Sequence, residues 1–151
     1  MNLEGVSVTP QKVIPMETGD VLHGIKKHEK NFVGFGEAYF SKVKKGSVKA
    51  WKQHHHMTLN ILVPVGNIRF VLYDDREESN TKGLFQTIDL GESNYSRLTV
   101  PPKLWAGFTG LSEGLNLLMN LADLEHDPEE VSRKDIDKIP YDWSRSPERL
   151  N

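Results

Sequence analysis

The chain of 151 residues contains no cysteine. Disulfide bridges, thiolate nucleophiles and Cys-based zinc sites are therefore excluded, and a reducing cytoplasm suits the protein. It also lacks an excess of either charge: 19 Lys and Arg stand against 21 Asp and Glu, a formal net charge of −2. No global positive field draws nucleic acid or anionic lipid to it, so neither is expected as a partner. No apolar run approaches the roughly 20 residues that span a bilayer as a helix, which makes a membrane location unexpected as well. The opening stretch MNLEGVSVTPQKVIP has no cationic segment followed by an apolar core, so no secretory signal is expected there. Internal repeats and low-complexity linkers are absent. One domain with its own core, in the cytoplasm, is the expectation at this length.

What the chain does contain is a succession of short β-rich runs, separated by turn signals at roughly 8–12 residue spacing, the pattern of a sandwich or barrel. The runs are DVLHGIK, FVGFGEAYFSKV, SVKAWKQ, MTLNILVPV, NIRFVLYDD, GLFQTIDL, SRLTVP and LNLLMNLA. Gly66-Asn67 is a tight-turn dipeptide between two of them. In the second, Ile68, Phe70 and Leu72 alternate with Arg69, Val71 and Tyr73, as on a strand with two different faces. One helix is expected, in HDPEEVSRKDIDKIP. There Asp127 can cap the N-terminus, Pro128 takes the first helical position and Glu130 completes a capping box. The expected organisation is a lead-in over residues 1–18, an all-β barrel over 19–126, and a short C-terminal helix with its tail over 127–151.

Three consecutive histidines, His54 to His56, stand out in a chain with six. Read as a metal site, His54 and His56 would share one face of a strand. A metal-binding cupin barrel adds a carboxylate a few residues on and a histidine from a distant strand, but Asn60 and Ala106 hold those positions. Two imidazoles without a third ligand make a weak site, so no metal or other cofactor is expected and a metallo-cupin is a minor alternative. Read as a strand, the even positions Lys52, His54, His56, Thr58 and Asn60 form a polar stripe, while Trp51, Met57, Leu59, Ile61 and Val63 form an apolar one. A polar stripe at the mouth of an apolar barrel is where a small ligand binds. His55 is expected in a solvated corner.

Several further stretches, in order, are SVKAWKQH, VPVGNIRFVLYDDREES with Asp75, Arg76 and Ser79, NYSRLTVPPKLWAGFTGLSE, LLMNLADLEHDPEE and IPYDW. Their order, over about Gly19 to Trp143, resembles the cupin-fold dTDP-4-dehydrorhamnose 3,5-epimerase family of nucleotide-sugar enzymes. The resemblance implies a homodimeric jelly-roll barrel with a nucleotide diphosphate sugar in its mouth. It implies proton abstraction at C3 and C5 beside a C4 ketone, without metal, in the making of a surface polysaccharide, lipopolysaccharide or spore-coat glycan. The family's base histidine falls on Lys52, its preceding arginine on Lys49, its acid tyrosine on Asn120 or thereabouts, and a later histidine on Ala106. The carboxylate that orients the base falls near Asp135 or Asp137. His54 takes the position of a glutamine, and His23, followed by Lys26, that of an arginine reaching a neighbouring subunit's substrate. Lys52, His54 and Asn120 are thus the candidates for chemistry, and His23, Lys26, Lys49, His56, Asn60 and Arg69 for substrate binding. Lys52 is either the base itself or an anchor for phosphate or enolate, which leaves His54 or His56 as the base. A barrel that binds the sugar nucleotide without turning it over is the alternative to an epimerase.

Overall fold

The computed structural model describes residues 2–144. Met1 and the end of the tail, residues 145–151, lie outside the described residues. Twelve strands are present among the described residues. They are β1 (Ser7–Pro10), β2 (Val13–Ile14), β3 (Val21–Leu22), β4 (Glu37–Val43), β5 (Val48–His54), β6 (Leu59–Val65), β7 (Asn67–Tyr73), β8 (Phe85–Gly91), β9 (Ser96–Val100), β10 (Trp105–Gly110), β11 (Asn116–Ala122) and β12 (Val131–Arg133). One sheet has the order β1-β9-β6-β11-β4 and the second β12-β5-β10-β7-β8, while β2 and β3 form a separate ribbon. This is the all-β cupin jelly roll that the sequence led us to expect. No helix among the described residues is long and apolar enough to cross a membrane.

The two sheets face each other across the main core, where Val63, Ile68, Phe70, Leu72, Leu98 and Leu118 are almost fully buried. The two-faced reading of β7 holds: Ile68, Phe70 and Leu72 face that core. Val71 and Tyr73 join a second cluster with Trp51, Trp105, Ile139, Tyr141 and Trp143 on the outer side of the second sheet. Trp51 Nε1 donates to the Ile136 carbonyl at 3.2 Å, tying the tail to that side.

Four expectations are corrected. The Gly66-Asn67 dipeptide does not close a hairpin, because β6 pairs with β9 and β11 while β7 pairs with β8 and β10. Gly66 instead takes the chain from one sheet to the other, at φ +76°, where an added Cβ would stand 2.4 Å from the Leu115 carbonyl oxygen. Only glycine fits there. Second, residues 7–10, expected in the lead-in, form a strand on the edge of the first sheet, with Ser7 opposite Thr99.

Third, the C-terminal helix is reduced to two 3-10 turns, Pro128–Glu130 and Ile136–Lys138, with β12 between them. Asp127 does cap the first turn, its side chain accepting from Glu129 N at 2.9 Å. The segment has too few apolar residues for an amphipathic helix, and the free edge of β5 offers a ladder that Val131–Arg133 completes. Fourth, the motif carboxylate that gathers Arg76 and Ser79 is Asp74 rather than Asp75. Fully buried Asp74 accepts from Arg76 Nη2 at 2.8 Å, Ser79 Oγ at 2.6 Å and Thr81 Oγ1 at 2.7 Å. Burial alone would raise its pKa, but these donors hold it well below the usual carboxylate range.

Candidate active site

A cavity of about 1020 Å³ lies between the two sheets. The first sheet lines it with Tyr39, Ser41, Leu59, Ile61, Leu118 and Asn120; the second with Lys49, Lys52, His54, Phe70, Leu72, Ala106 and Phe108. Arg133, Lys134, Asp135 and Lys138 of the C-terminal segment complete it. An apolar floor with a cationic border suits a ligand that has an uncharged ring and an anionic group.

A bulge in β5 sets the positions of the cations. From Ala106 to Phe108 the partner strand advances two residues while β5 advances three, from Lys52 to Lys49. The extra residue brings Lys49 and Lys52 to the same cavity wall, while Trp51 packs on the outer side. Lys49 Nζ reaches across to Ser41 Oγ at 3.3 Å and the Lys42 carbonyl at 3.1 Å. Lys52 is half-buried. Burial, then the charge of Arg133, lowers its pKa, against opposing effects of Glu130 and Glu37.

His54 ends β5, and its Nδ1 is 2.7 Å from Glu130 Oε2, with both side chains 8% exposed. The other oxygen of Glu130 accepts the backbone N–H groups of His56 at 2.5 Å and Met57 at 2.8 Å. Burial alone would raise the pKa of Glu130, but the hydrogen bonds from His54 and the two amides hold it at about 2. It is a carboxylate at neutral pH and can only accept, so the hydrogen of His54 belongs on Nδ1 and the lone pair on Nε2. Burial lowers the pKa of His54, which outweighs the raising effect of the hydrogen bond that His54 donates to Glu130. The ring is therefore neutral at neutral pH, with a basic nitrogen to spare.

Of the residues singled out in the sequence, Lys49, Lys52, His54, Asn120 and Asp135 meet at this cavity. The other five binding candidates are not among its lining residues. The bend over residues 55–58 reverses the strand phase, so Leu59 and Ile61 line the cavity instead of Asn60. Asn60 is bonded elsewhere, to Thr99 Oγ1 and the Asn31 carbonyl. His56 is exposed at the bend. Arg69 lies on the face of β7 opposite Phe70 and holds Asp89 through Nε at 2.7 Å and Nη2 at 2.8 Å. His23 and Lys26 belong to a loop fastened by Arg97, which donates to the Gly24 carbonyl and pairs with Glu29 at 2.8 Å. His55 is half-buried at the same bend, with Nε2 2.7 Å from Ser132 Oγ.

The carboxylate that holds His54 is Glu130; Asp135 lines the cavity, and Asp137 is largely exposed beside Lys138. Sequence reading assigned Glu130 to a capping box, which hid it. Tyr39 was not singled out in the sequence, yet it lines the cavity, while Phe40 beside it is 66% exposed. Strict alternation from the buried Val43 back through Ser41 would have found Tyr39. Among the described residues, no three His, Cys, Asp or Glu side chains are grouped as a metal site.

The chain is similar to known sugar enzymes. A dTDP sugar isomerase from Desulfovibrio desulfuricans matches with 39% identity and a TM-score of 0.91, over 97% of each chain. A probable low-salt glycan biosynthesis epimerase from Haloferax volcanii is 38% identical over 106 residues, which are 70% of this chain and 66% of that protein. The dTDP-4-dehydrorhamnose 3,5-epimerase from Elizabethkingia anophelis shares the fold, with a TM-score of 0.81 at 19% identity over 97% of this chain and 85% of its own. No family model matches the chain.

Proposed function

The chain belongs to the dTDP-4-dehydrorhamnose 3,5-epimerase-like family of nucleotide-sugar epimerases and isomerases, and from that premise we propose that it epimerises or isomerises a 4-keto-6-deoxy sugar carried on a nucleotide diphosphate. The observation that carries this reading is the buried His54–Glu130 pair facing a cavity between the sheets. A C–H bond beside a ketone is acidified by the carbonyl, so the protein must supply a base, a proton donor and a charge at the enolate oxygen. None of these calls for a metal or another cofactor.

His54 is the base. Glu130 fixes its tautomer and steadies the imidazolium that forms when Nε2 takes the proton. Lys52, two residues back on the same wall, supplies the ammonium that meets the enolate oxygen. Arg133 and Lys138 hold the diphosphate at the border, and Asn120 binds a hydroxyl or the ketone from the facing sheet. Asn120, at the position of the family's acid tyrosine, cannot donate a proton in that tyrosine's place.

A homodimer in the cytoplasm belongs to the same proposal. The loop before β4 and β4 itself expose Val33, Phe35 and Phe40 at 65, 66 and 66%, and the β2–β3 ribbon exposes Val21, beside Met16 in the intervening turn. Such a surface fits a second copy better than water. In that pairing His23 and Lys26 would stand at the contact, not in the cavity of their own chain. The test is proton NMR of 4-keto-6-deoxy sugars carrying dTDP, GDP, CDP or UDP, incubated with the protein in deuterated water. Loss of the C3 or C5 proton signal supports the reading; saturable binding of a nucleotide sugar with no exchange marks a barrel that binds without turnover.

A further inference from the structure

Inversion beside a ketone removes a proton from one face of the sugar and delivers another to the opposite face. His54 stands on the second sheet, so the donor has to come from the first. Among the described residues that line the cavity, Tyr39 of β4 is the tyrosine. Its registered neighbour on β11 is Asn120. Directly paired residues share a face, and both side chains line the cavity.

Asn120 Nδ2 donates to the Tyr39 hydroxyl oxygen at 3.3 Å. That leaves the hydroxyl hydrogen of Tyr39 free to point elsewhere, and it places an N–H where it stabilises the anion once that hydrogen has gone. Asn120 is 2% exposed, and no described protein group donates to its Oδ1. A buried acceptor without a partner, on a cavity wall, calls for a donor from a ligand, and a sugar hydroxyl supplies one. The level along the strand also fits. Ser41, the next inward residue of β4, contacts Lys49, and Glu37, on the other side, acts electrostatically on Lys52. Tyr39 lies between them, facing the stretch of β5 between the two lysines.

We propose that Tyr39 is the proton donor of the epimerisation and that Asn120 is its positioning residue. The inference rests on the function proposed above and deepens it. His54 Nε2 takes the proton from the carbon beside the ketone, and the electrons of that C–H bond become the enolate. The enolate carbon then forms a bond to the Tyr39 hydroxyl proton on the opposite face, the O–H bond breaks, and its electrons remain on the phenolate beside the Asn120 N–H. The imidazolium returns its proton to solvent and the phenolate takes one from solvent, which closes the cycle.

The test measures deuterium incorporation and inversion separately, by NMR in deuterated water, on a sugar nucleotide that the wild-type protein turns over. Tyr39→Phe is expected to slow inversion by roughly 100-fold, the scale of a lost acid–base group, while exchange on the original face continues, because His54 both removes and returns that proton. Asn120→Ala is expected to show the same split, in kcat more than in KM. Unchanged melting temperature and dTDP binding establish that the variants are folded. Inversion at the wild-type rate in Tyr39→Phe overturns the assignment. Equal loss of exchange and inversion in that variant overturns it too, since the side chain would then act in alignment only. Wild-type protein that exchanges no proton from any of these sugars overturns the function, and the donor with it.

Discussion

Glu130 has three hydrogen bonds within one buried carboxylate, and each serves the imidazole of His54. One reaches Nδ1, and the other two hold the bend that carries the chain out of β5. Replacing it with glutamine keeps the shape and removes the charge. The Glu130→Gln variant is expected to lose roughly 10- to 100-fold in the rate of proton exchange, the lower part of what a positioned base contributes. In wild type the rate falls as pH drops through the pKa of His54, which lies below the ordinary imidazole value of 6.5. Glu130 favours the imidazolium, so its removal moves that acidic limb to still lower pH. A limb that stays in place or moves up would mean that the two side chains do not act together. Lys52→Met is expected to slow exchange by roughly 10²- to 10³-fold with nucleotide affinity little changed, as for loss of a group that meets an oxyanion.

At the scale of elements, period-2 patterning was readable wherever a strand is two-sided, as on β7, and this placed most of the barrel correctly. It failed where the phase breaks. The β5 bulge and the bend over residues 55–58 each change which residues face the cavity, and neither has a distinctive residue signature. Lys52 and His54, which precede the bend, were legible as cavity residues, while Asn60 and His56, at and beyond it, do not line the cavity. Glu130 and Arg133 were out of reach for another reason. Their approach to the site depends on β12 pairing with β5, a contact between positions about 80 residues apart that no local pattern announces. Gly66 shows the opposite case, a local signal whose long-range meaning differs. Gly66→Ala forces a Cβ against the Leu115 carbonyl at a positive φ, and is expected to lower stability by about 1–3 kcal/mol or more in urea unfolding. A neutral substitution would mean that this crossing between sheets is slack.

For the whole molecule, burial of the His54–Glu130 pair links the site to stability. The unfolded-state value for Glu130 is 4.5 and its folded value is about 2, so its contribution is full above 4.5 and is lost as pH falls from there towards 2. The pKa of His54 is likewise lower in the folded protein than its ordinary 6.5, so its contribution is present above 6.5 and declines as pH falls through that range. Both signs agree. The unfolding free energy, measured by urea titration between pH 7.5 and 4, is expected to fall with acidification, and less steeply in Glu130→Gln below about pH 4.5. Stability that is flat or rises towards acid would contradict the pairing. The exposed Val33, Phe35 and Phe40 carry a prediction at the same scale: light scattering should give twice the monomer mass, and Phe40→Glu should reduce it to the monomer.

The central claim is that His54, and not the lysine in the place of the family's histidine, removes the proton. It is tested most directly by the rate of deuterium wash-in at the carbon beside the ketone, compared between wild type, His54→Ala and Lys52→Ala at equal nucleotide occupancy. The account predicts exchange in wild type, slowed but measurable exchange in Lys52→Ala, and a loss of roughly 10³-fold or more in His54→Ala. Exchange that survives in His54→Ala and disappears in Lys52→Ala would contradict it and make Lys52 the base.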